Sequence, residues 1–215
     1  MRNGWDVIHA EQRLGLLFEP NIQTALLPLG ALIQSFNWVY WLSEFVVLGG
    51  CLTWIYLRRN GSFTRVRNTL LLANTIALIG YVLVPTAPPR FFPSLGFVDT
   101  LDATMLNQGS AVVQLASNPF AAMPSVHAAD ALIIGFAMAA LTRTIWTRAF
   151  WLLWPPLVWT SVVVTANHFW LDIAAGIMVA AIAAAVRRSP RSTWREVTAT
   201  VRTWRGRGEG APGAR

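Results

Sequence analysis

The sequence has 215 residues, a length that fits one domain, and its composition is that of a membrane protein. Hydrophobic residues make up 54% of the chain and charged residues only 13%, with a mean hydropathy of +0.46. The single cysteine, Cys51, excludes an internal disulfide and a metal–thiolate cluster. The net charge of +7 comes from arginines placed where membrane loops are expected, which argues against nucleic-acid binding.

The N-terminal part of the chain is apolar but interrupted. Residues 14–36 are broken by Glu19-Pro20-Asn21 and by Pro28. The clean apolar stretch of about fifteen residues is shorter than the roughly 20 residues that a spanning helix needs. We therefore expect residues 1–36 to form an interfacial or partly inserted helical segment, with a complete membrane span as the alternative.

Longer apolar runs follow, and they predict an all-α integral membrane bundle of five to six transmembrane helices. They comprise residues 38–57, 69–85, 128–142, 149–166 and 171–186. The first of these runs would extend about 30 Å as a helix, which is the thickness of the hydrocarbon core. A mostly polar connection, residues 86–124, separates the second run from the third.

The arginines indicate the orientation of the chain in the membrane. All 17 basic residues are arginine, and 14 of them share one side of the membrane if each run crosses once. These 14 lie in the loops at 58–67 and 143–148 and in the tail from residue 187 onward. Since basic loops stay cytoplasmic, we predict a multi-pass plasma-membrane protein with a cytoplasmic C-terminus. Residues 187–215 are expected to be a disordered polybasic tail attracted to anionic lipid headgroups rather than nucleic acid.

Two polar clusters stand at the outer ends of these apolar runs. The first runs from Asn118 to His127, and the second runs from Asn167 to Asp172. The predicted topology places both clusters on the extracytoplasmic side, together with Arg90 in the outer loop. An ionisable group inside a bilayer costs roughly 2.5–3.5 kcal/mol on insertion scales, so incidental placement is disfavoured. We interpret the two clusters and the arginine as one site.

The residue types and spacing of this site suit phosphoryl transfer. Ser125 follows a proline and precedes an apolar run, which predicts a helix N-cap and puts His127 in a first turn that attracts phosphate. His168 and Asp172 are four residues apart, so on a helix the carboxylate can orient a nucleophilic histidine. His127, from a different helix, can protonate the departing oxygen. Arg90 offers a forked donor for phosphate oxygens.

Other interpretations of the same residues stay open. His127 can simply cap a helix, His168 and Asp172 can form a structural ion pair, and Arg90 can anchor a headgroup. The two histidines and the carboxylate can also bind zinc, as in a zinc-dependent membrane hydrolase. A non-catalytic membrane scaffold is the remaining class. Glu44, inside the run at 38–57, has no partner that the sequence identifies.

The motifs resemble those of the type 2 phosphatidic acid phosphatase (PAP2) superfamily over roughly residues 37–186. Pro124-Ser125-Val126-His127 is similar to the second signature of that family, usually Pro-Ser-Gly-His. His168 to Asp172 resembles the third signature, His-x-x-x-Asp. Gly176 and the stretch Ala87-Pro88-Pro89-Arg90 resemble the branch of inositolphosphotransferases and inositol phosphorylceramide synthases. We therefore expect a transmembrane catalytic domain at 37–186.

The resemblance implies a cofactor-free, metal-independent phosphatase or phosphotransferase that acts on a lipid phosphate or phosphodiester through a phosphohistidine. His168 would attack phosphorus, Asp172 would orient His168, and His127 would act as acid and then as base. Arg90 and Ser125 would bind the phosphate. A phosphatase and a transferase differ only in whether water or an alcohol such as inositol accepts the group. The lipid and the acceptor stay open.

Two positions depart from the standard pattern of the family. Leu83 stands where the first signature carries a lysine, and this chain contains no lysine. Ser161-Val162 stands where the third signature begins with Ser-Arg. Two phosphate-binding cations of the plain phosphatases are therefore absent here, as they are in the synthase-like branch. This difference shifts the expectation towards transferase chemistry or a bulky, shallowly held lipid phosphate.

Overall fold

The computed structural model describes residues 1–101 and 120–188, and the regular secondary structure in these ranges is helical, which confirms the all-α prediction. The α-helices of these ranges are α1 (Arg2–Arg13), α2 (Glu19–Leu26), α3 (Gly30–Leu42), α4 (Leu48–Arg58), α5 (Asn60–Leu83), α6 (Val126–Leu141), α7 (Ile145–Val164) and α8 (Trp170–Arg188). A π-helical turn, Ser43–Val47, joins α3 to α4. Asn118, Pro119 and the basic tail beyond residue 188 lie outside the described residues.

The long helices form a membrane helical bundle. In the part of the chain that the structure describes, three helical segments are long and apolar enough to cross a membrane: Gly30–Arg58, Asn60–Leu83 and Trp170–Arg187. Helix α6 is apolar but shorter, and α7 contains Pro155 and Pro156. Each of the five apolar runs in the sequence overlaps one long helix. The helical segment Gly30–Arg58 is longer than the apolar run at 38–57, because it begins at Gly30 and continues through the π-helical turn without a break.

Helix α6 packs closely against α7 and α8 through small residues, the arrangement that close helix approach in lipid favours. A Cβ added to Gly135 of α6 would lie 2.7 Å from the backbone oxygen of Trp151 in α7. Ala128 of α6 is buried in one cluster with Val158 of α7 and Ile173 of α8. These contacts fix where the first turns of α6 and α8 lie relative to each other.

The N-terminal segment covers the end of the bundle at which α6 and α8 begin. Val7 and Ile8 of α1 are buried in one cluster with Phe92, Phe97 and Phe169. These aromatic residues belong to the outer connection and to the turn before α8. The prediction that residues 1–36 lie at the membrane interface stays a prediction, but the contacts attach this segment to the end that carries both polar clusters.

Candidate active site

The structure brings the two predicted histidines together at the starts of α6 and α8. Ser125 caps α6, since its Oγ accepts a hydrogen bond from the Ala128 N–H at 3.2 Å, which confirms the predicted helix start. His127 is the second residue of α6, and His168 lies in the turn between α7 and α8. The centroids of the two imidazole rings are 5.8 Å apart. A small group can therefore contact both rings.

His168 is buried, and its ring is held by a backbone carbonyl. Its Nδ1 lies 2.9 Å from the carbonyl oxygen of Ala122. Because a carbonyl only accepts hydrogen bonds, the neutral ring donates from Nδ1 and keeps a free lone pair on Nε2. Burial and the charge of Arg90 lower the pKa of His168, and the Ala122 bond raises it; the net pKa is about 4. The ring is therefore neutral at pH 7, the state that a nucleophile needs.

Asp172 is a neighbour of His168, but the two do not share a hydrogen bond. The Oδ2 of Asp172 is 3.6 Å from the Nδ1 of His168, beyond normal hydrogen-bond range. The same oxygen accepts a bond from the Phe169 N–H at 2.9 Å. The Ala122 carbonyl makes the hydrogen bond to His168 Nδ1, and the orienting role of Asp172 stays a prediction. Asp172 is fully buried, and its carboxyl group lies beside the His168 ring.

The Ala122 carbonyl is held in place by pairing between two stretches of the outer connection. The Thr86 N–H donates to the Phe120 oxygen at 2.8 Å, and the Ala122 N–H donates to the Thr86 oxygen at 3.2 Å. Thr86 follows α5, and Ala122 precedes α6, so this short ladder ties the end of one helix to the start of the next. The result is a fixed acceptor for the His168 ring.

Arg90 lies beside the turn that carries His168. Its backbone N–H donates to the Ala166 oxygen at 3.0 Å, and its Nη1 donates to Asn167 Oδ1. Its Nε is 3.5 Å from Asp99 Oδ2, and 18% of its side chain is exposed. The structure thus places Arg90 next to Asn167, the residue that precedes His168. Its remaining guanidinium donors are available to a bound anion.

The first turn of α8 is capped by three buried carboxylates. The Phe169 N–H, just before α8, donates to Asp172. The Trp170 N–H donates to Glu19 at 2.9 Å, and the Leu171 N–H donates to Glu11 at 3.2 Å. All three acidic side chains are fully buried. These backbone donors would otherwise attract phosphate, so an anion at this site depends on other groups.

Sequence reasoning missed Glu11 and Glu19. The stretch at Glu19 indicated only a break in an apolar run, and nothing near Glu11 in the sequence marks it as buried. Burial and the Glu19 carboxyl group raise the pKa of Glu11, and the Leu171 N–H lowers it; the net pKa is about 9. Glu11 is therefore protonated at neutral pH, as expected when two carboxyl groups share one buried site.

His127 is surrounded by residues of the α3–α4 helix. The Tyr40 ring stacks on the His127 ring with centroids 4.4 Å apart and an interplanar angle of 16°. Glu44 Oε2 lies 3.8 Å from His127 Nε2. Asp130, one turn further along α6, accepts bonds from the Asn74 amide at 2.9 and 3.0 Å. The sequence singled out Glu44 without a partner, and the structure supplies one.

The metal-binding interpretation depends on the arrangement of the ligands. Within residues 1–101 and 120–188, no three or more His, Cys, Asp or Glu side chains are grouped so that they could hold a metal ion. Two acidic groups near the histidines have other partners in the described residues, because Asp172 accepts from the Phe169 N–H and Asp130 accepts from the Asn74 amide.

Comparison with known proteins identifies relatives of this fold. A family model described as the PAP2 superfamily matches residues 5–186. The crystal structure of Aquifex aeolicus LpxE is similar to the chain with a TM-score of 0.53 and 17% sequence identity. The similarity covers 75% of this chain and 93% of that chain, and it shows a shared fold. No curated protein matches the chain.

Proposed function

Because the chain belongs to the PAP2 superfamily, we propose that it is a membrane-embedded phosphatase or phosphotransferase acting on a lipid phosphate or phosphodiester. The observation that carries the proposal is the state of His168. Its Nδ1 is engaged by the Ala122 carbonyl, and its Nε2 is the ring atom left for attack. His127, with its ring centroid 5.8 Å away, supplies a second titratable group from another helix.

The proposed reaction has two steps and needs no cofactor. In the first step, His168 Nε2 attacks phosphorus, an N–P bond forms, and the P–O bond to the lipid breaks as His127 protonates the departing oxygen. In the second step, His127 takes a proton from water or an alcohol, whose oxygen attacks phosphorus and breaks the N–P bond. Both histidines return to their starting states when the product leaves.

Arg90 is the proposed phosphate-binding cation. Asn167 and Asp99 fix its guanidinium group beside His168, so a phosphate would bind without much loss of side-chain entropy. Ser125 is the second proposed phosphate-binding residue, and its hydroxyl is buried in the cap of α6. We therefore assign Ser125 chiefly to fixing the helix start that carries His127.

Asp172 acts in this proposal through its charge. A phosphorylated imidazole is cationic while Nδ1 keeps its proton, and a buried carboxylate 3.6 Å away stabilises that cation. The Ala122 carbonyl holds the tautomer, so the two roles that one aspartate often combines are divided between two groups here.

Transfer to an alcohol acceptor, as in the inositolphosphotransferase-like branch, is the second candidate. Transfer is favoured because this chain has no cation at the two positions where the plain phosphatases carry one. Leu83 is exposed on α5, and Val162 is fully buried in α7, so neither offers a charge to phosphate. The distribution of arginines further supports an active site on the extracytoplasmic side of the membrane, with the C-terminus cytoplasmic.

The decisive experiment measures phosphate release from phosphatidic acid and from a polyprenyl diphosphate in detergent micelles, with and without inositol. His168→Ala is expected to lower kcat by at least about 10³-fold, as expected for loss of a nucleophile. His9→Ala is a matched control, because His9 is exposed on α1 and stacks on Trp5. Phosphorus appearing in an inositol product would identify a transferase.

Two further arms separate the competing classes. Vanadate, which mimics a five-coordinate phosphorus, is expected to inhibit, and EDTA is expected to leave the rate unchanged. Loss of activity with EDTA would instead support the zinc enzyme. Equal rates for wild type and His168→Ala would rule out the proposed nucleophile, and an absence of turnover on every lipid phosphate would support the scaffold.

A further inference from the structure

We infer that Glu44 is the positioning carboxylate of His127, and that it holds this histidine as a proton donor for the departing lipid oxygen. The inference rests on the proposed function, in which His127 is the acid. Glu44 Oε2 is 3.8 Å from His127 Nε2, and the side chains are only 23% and 16% exposed. A carboxylate and an imidazole at this distance form an ion pair when the ring is protonated.

The backbone around Glu44 is built in a way that aims its side chain at α6. Glu44 lies in the π-helical turn Ser43–Val47 inside an otherwise continuous helix, and such turns occur frequently at functional sites. Tyr40, one turn earlier, stacks on the His127 ring. Ser43 Oγ donates to the backbone carbonyl oxygen of Tyr40 at 2.8 Å, which fixes the turn. One segment therefore contacts both a face and an edge of the same imidazole.

Among the titratable groups near Glu44, His127 is the one that can form an ion pair with it. An acidic side chain inside a membrane helix is costly when it has no partner. The titratable groups of the described residues that face this region are Tyr40, Tyr81, His127, Asp130 and His168. Asp130 is already bonded to Asn74, and His168 to Ala122. A cavity of about 10 Å³ between Glu44, His127 and Asp130 has the size of a single water molecule.

The ion pair determines which proton His127 can give. With Nε2 held towards Glu44, the proton for the leaving group comes from Nδ1. That proton moves to the lipid oxygen as the electron pair of the P–O bond passes to the same oxygen. In the second step, Nδ1 recovers a proton from the attacking water or alcohol, and Glu44 neither gains nor loses a proton. Glu44 therefore acts through His127 and does not touch the substrate.

The test compares two substrates that differ in their need for an acid. Loss of general-acid assistance typically costs about 10²–10⁴-fold. Glu44→Gln is expected to lower kcat for an alkyl lipid phosphate by about 10²-fold, because the alkoxide must be protonated as it leaves. With p-nitrophenyl phosphate, whose leaving group departs as a stable anion, the loss is expected to stay under about tenfold. His127→Ala should show the same selectivity, and adding Glu44→Gln to it should cost little more.

Controls separate this role from a structural one. Glu44→Asp should recover part of the alkyl-substrate rate. Thr53→Ala, in α4, should leave both rates near wild type, because the exposed Thr53 hydroxyl bonds the Gly49 carbonyl of its own helix. An equal loss on both substrates, or no loss with Glu44→Gln, would overturn the inference. Failure of the proposed function is distinguishable, because the wild type would then turn over neither substrate or His168→Ala would match it.

Discussion

Replacing Gly176 by alanine is expected to separate the two helices that carry the histidines. A Cβ added to Gly176 of α8 would lie 2.3 Å from the backbone oxygen of Ser125 and 3.1 Å from the Ala128 Cβ. The first distance is roughly 1 Å shorter than van der Waals contact allows. The atom it meets is main chain, so it cannot rotate away. The methyl group must therefore displace the start of α6, two residues before His127.

The size of the effect follows from this displacement. Overpacking a close helix contact costs about 1–3 kcal/mol, partly offset by the roughly 1 kcal/mol that alanine gains over glycine in a helix. The hydrogen bond from the Ser125 N–H to the backbone carbonyl oxygen of Asp172, 2.9 Å long, joins the same two helices and would lengthen. A misplacement of about 1 Å between reacting groups can cost about 10²-fold in rate. We expect Gly176→Ala to lower kcat more than it lowers stability.

The assay is hydrolysis of the lipid phosphate together with thermal unfolding in detergent. Gly49→Ala is the matched control, since Gly49 lies in α4 and nothing approaches its added Cβ within 4 Å. It should leave kcat unchanged and keep or slightly raise the Tm. Wild-type kcat and Tm for Gly176→Ala would refute the view that this close contact sets the distance between the histidines.

Two predictions concern the carboxylates behind the nucleophile. Glu19→Ala should lower the free energy of unfolding by about 3 kcal/mol or more, because Glu19 accepts the Phe18 and Trp170 N–H bonds and each bond to a charged group is worth about 1.5–3 kcal/mol; an unfolding midpoint equal to wild type would contradict this. Burial raises the pKa of Glu11 to about 9, so the folded protein retains a proton that the unfolded chain releases near pH 4.5. The stabilisation that the Glu11 proton contributes is complete below about pH 4.5. It is lost as the pH rises towards 9, by up to about 1.4 kcal/mol per pH unit. Thermal unfolding from pH 5 to pH 9 should show this decline in wild type and in the exposed control Asp6→Asn but not in Glu11→Gln; parallel curves for all three would show that Glu11 is not the group.

The helices and one cap were predictable because their signals are local. Apolar runs of sufficient length specify membrane helices whatever lies around them, and Ser125 after a proline specifies a helix start. The approach of His127 to His168 was expected from a topology argument that counts arginines. The starts of α6 and α8 meet in the structure as that argument requires.

The partners of the site residues were not predictable, because they are backbone atoms or distant side chains. The Ala122 carbonyl has no signature in the sequence, since any residue offers the same atom. Glu11 is 160 positions from Leu171, whose N–H it accepts, and only the packing of α1 against the outer connection brings them together. Glu44 was visible as a charge in an apolar run, but its target depends on the register set by a π-helical turn.

The carboxylate caps on α8 bear on how phosphate is held. Helix N-termini are ready-made anion sites, yet here the opening donors of α8 are already bonded to Asp172, Glu19 and Glu11. The turn before α8 therefore carries the proposed nucleophile without supplying an anion hole. With no cation at Leu83 or Val162, the proposed phosphate binding depends mainly on Arg90. A site with one strong anchor suits a substrate whose lipid chains provide most of the binding energy. The N-terminal segment belongs functionally with this site, because two of the three caps come from α1 and α2.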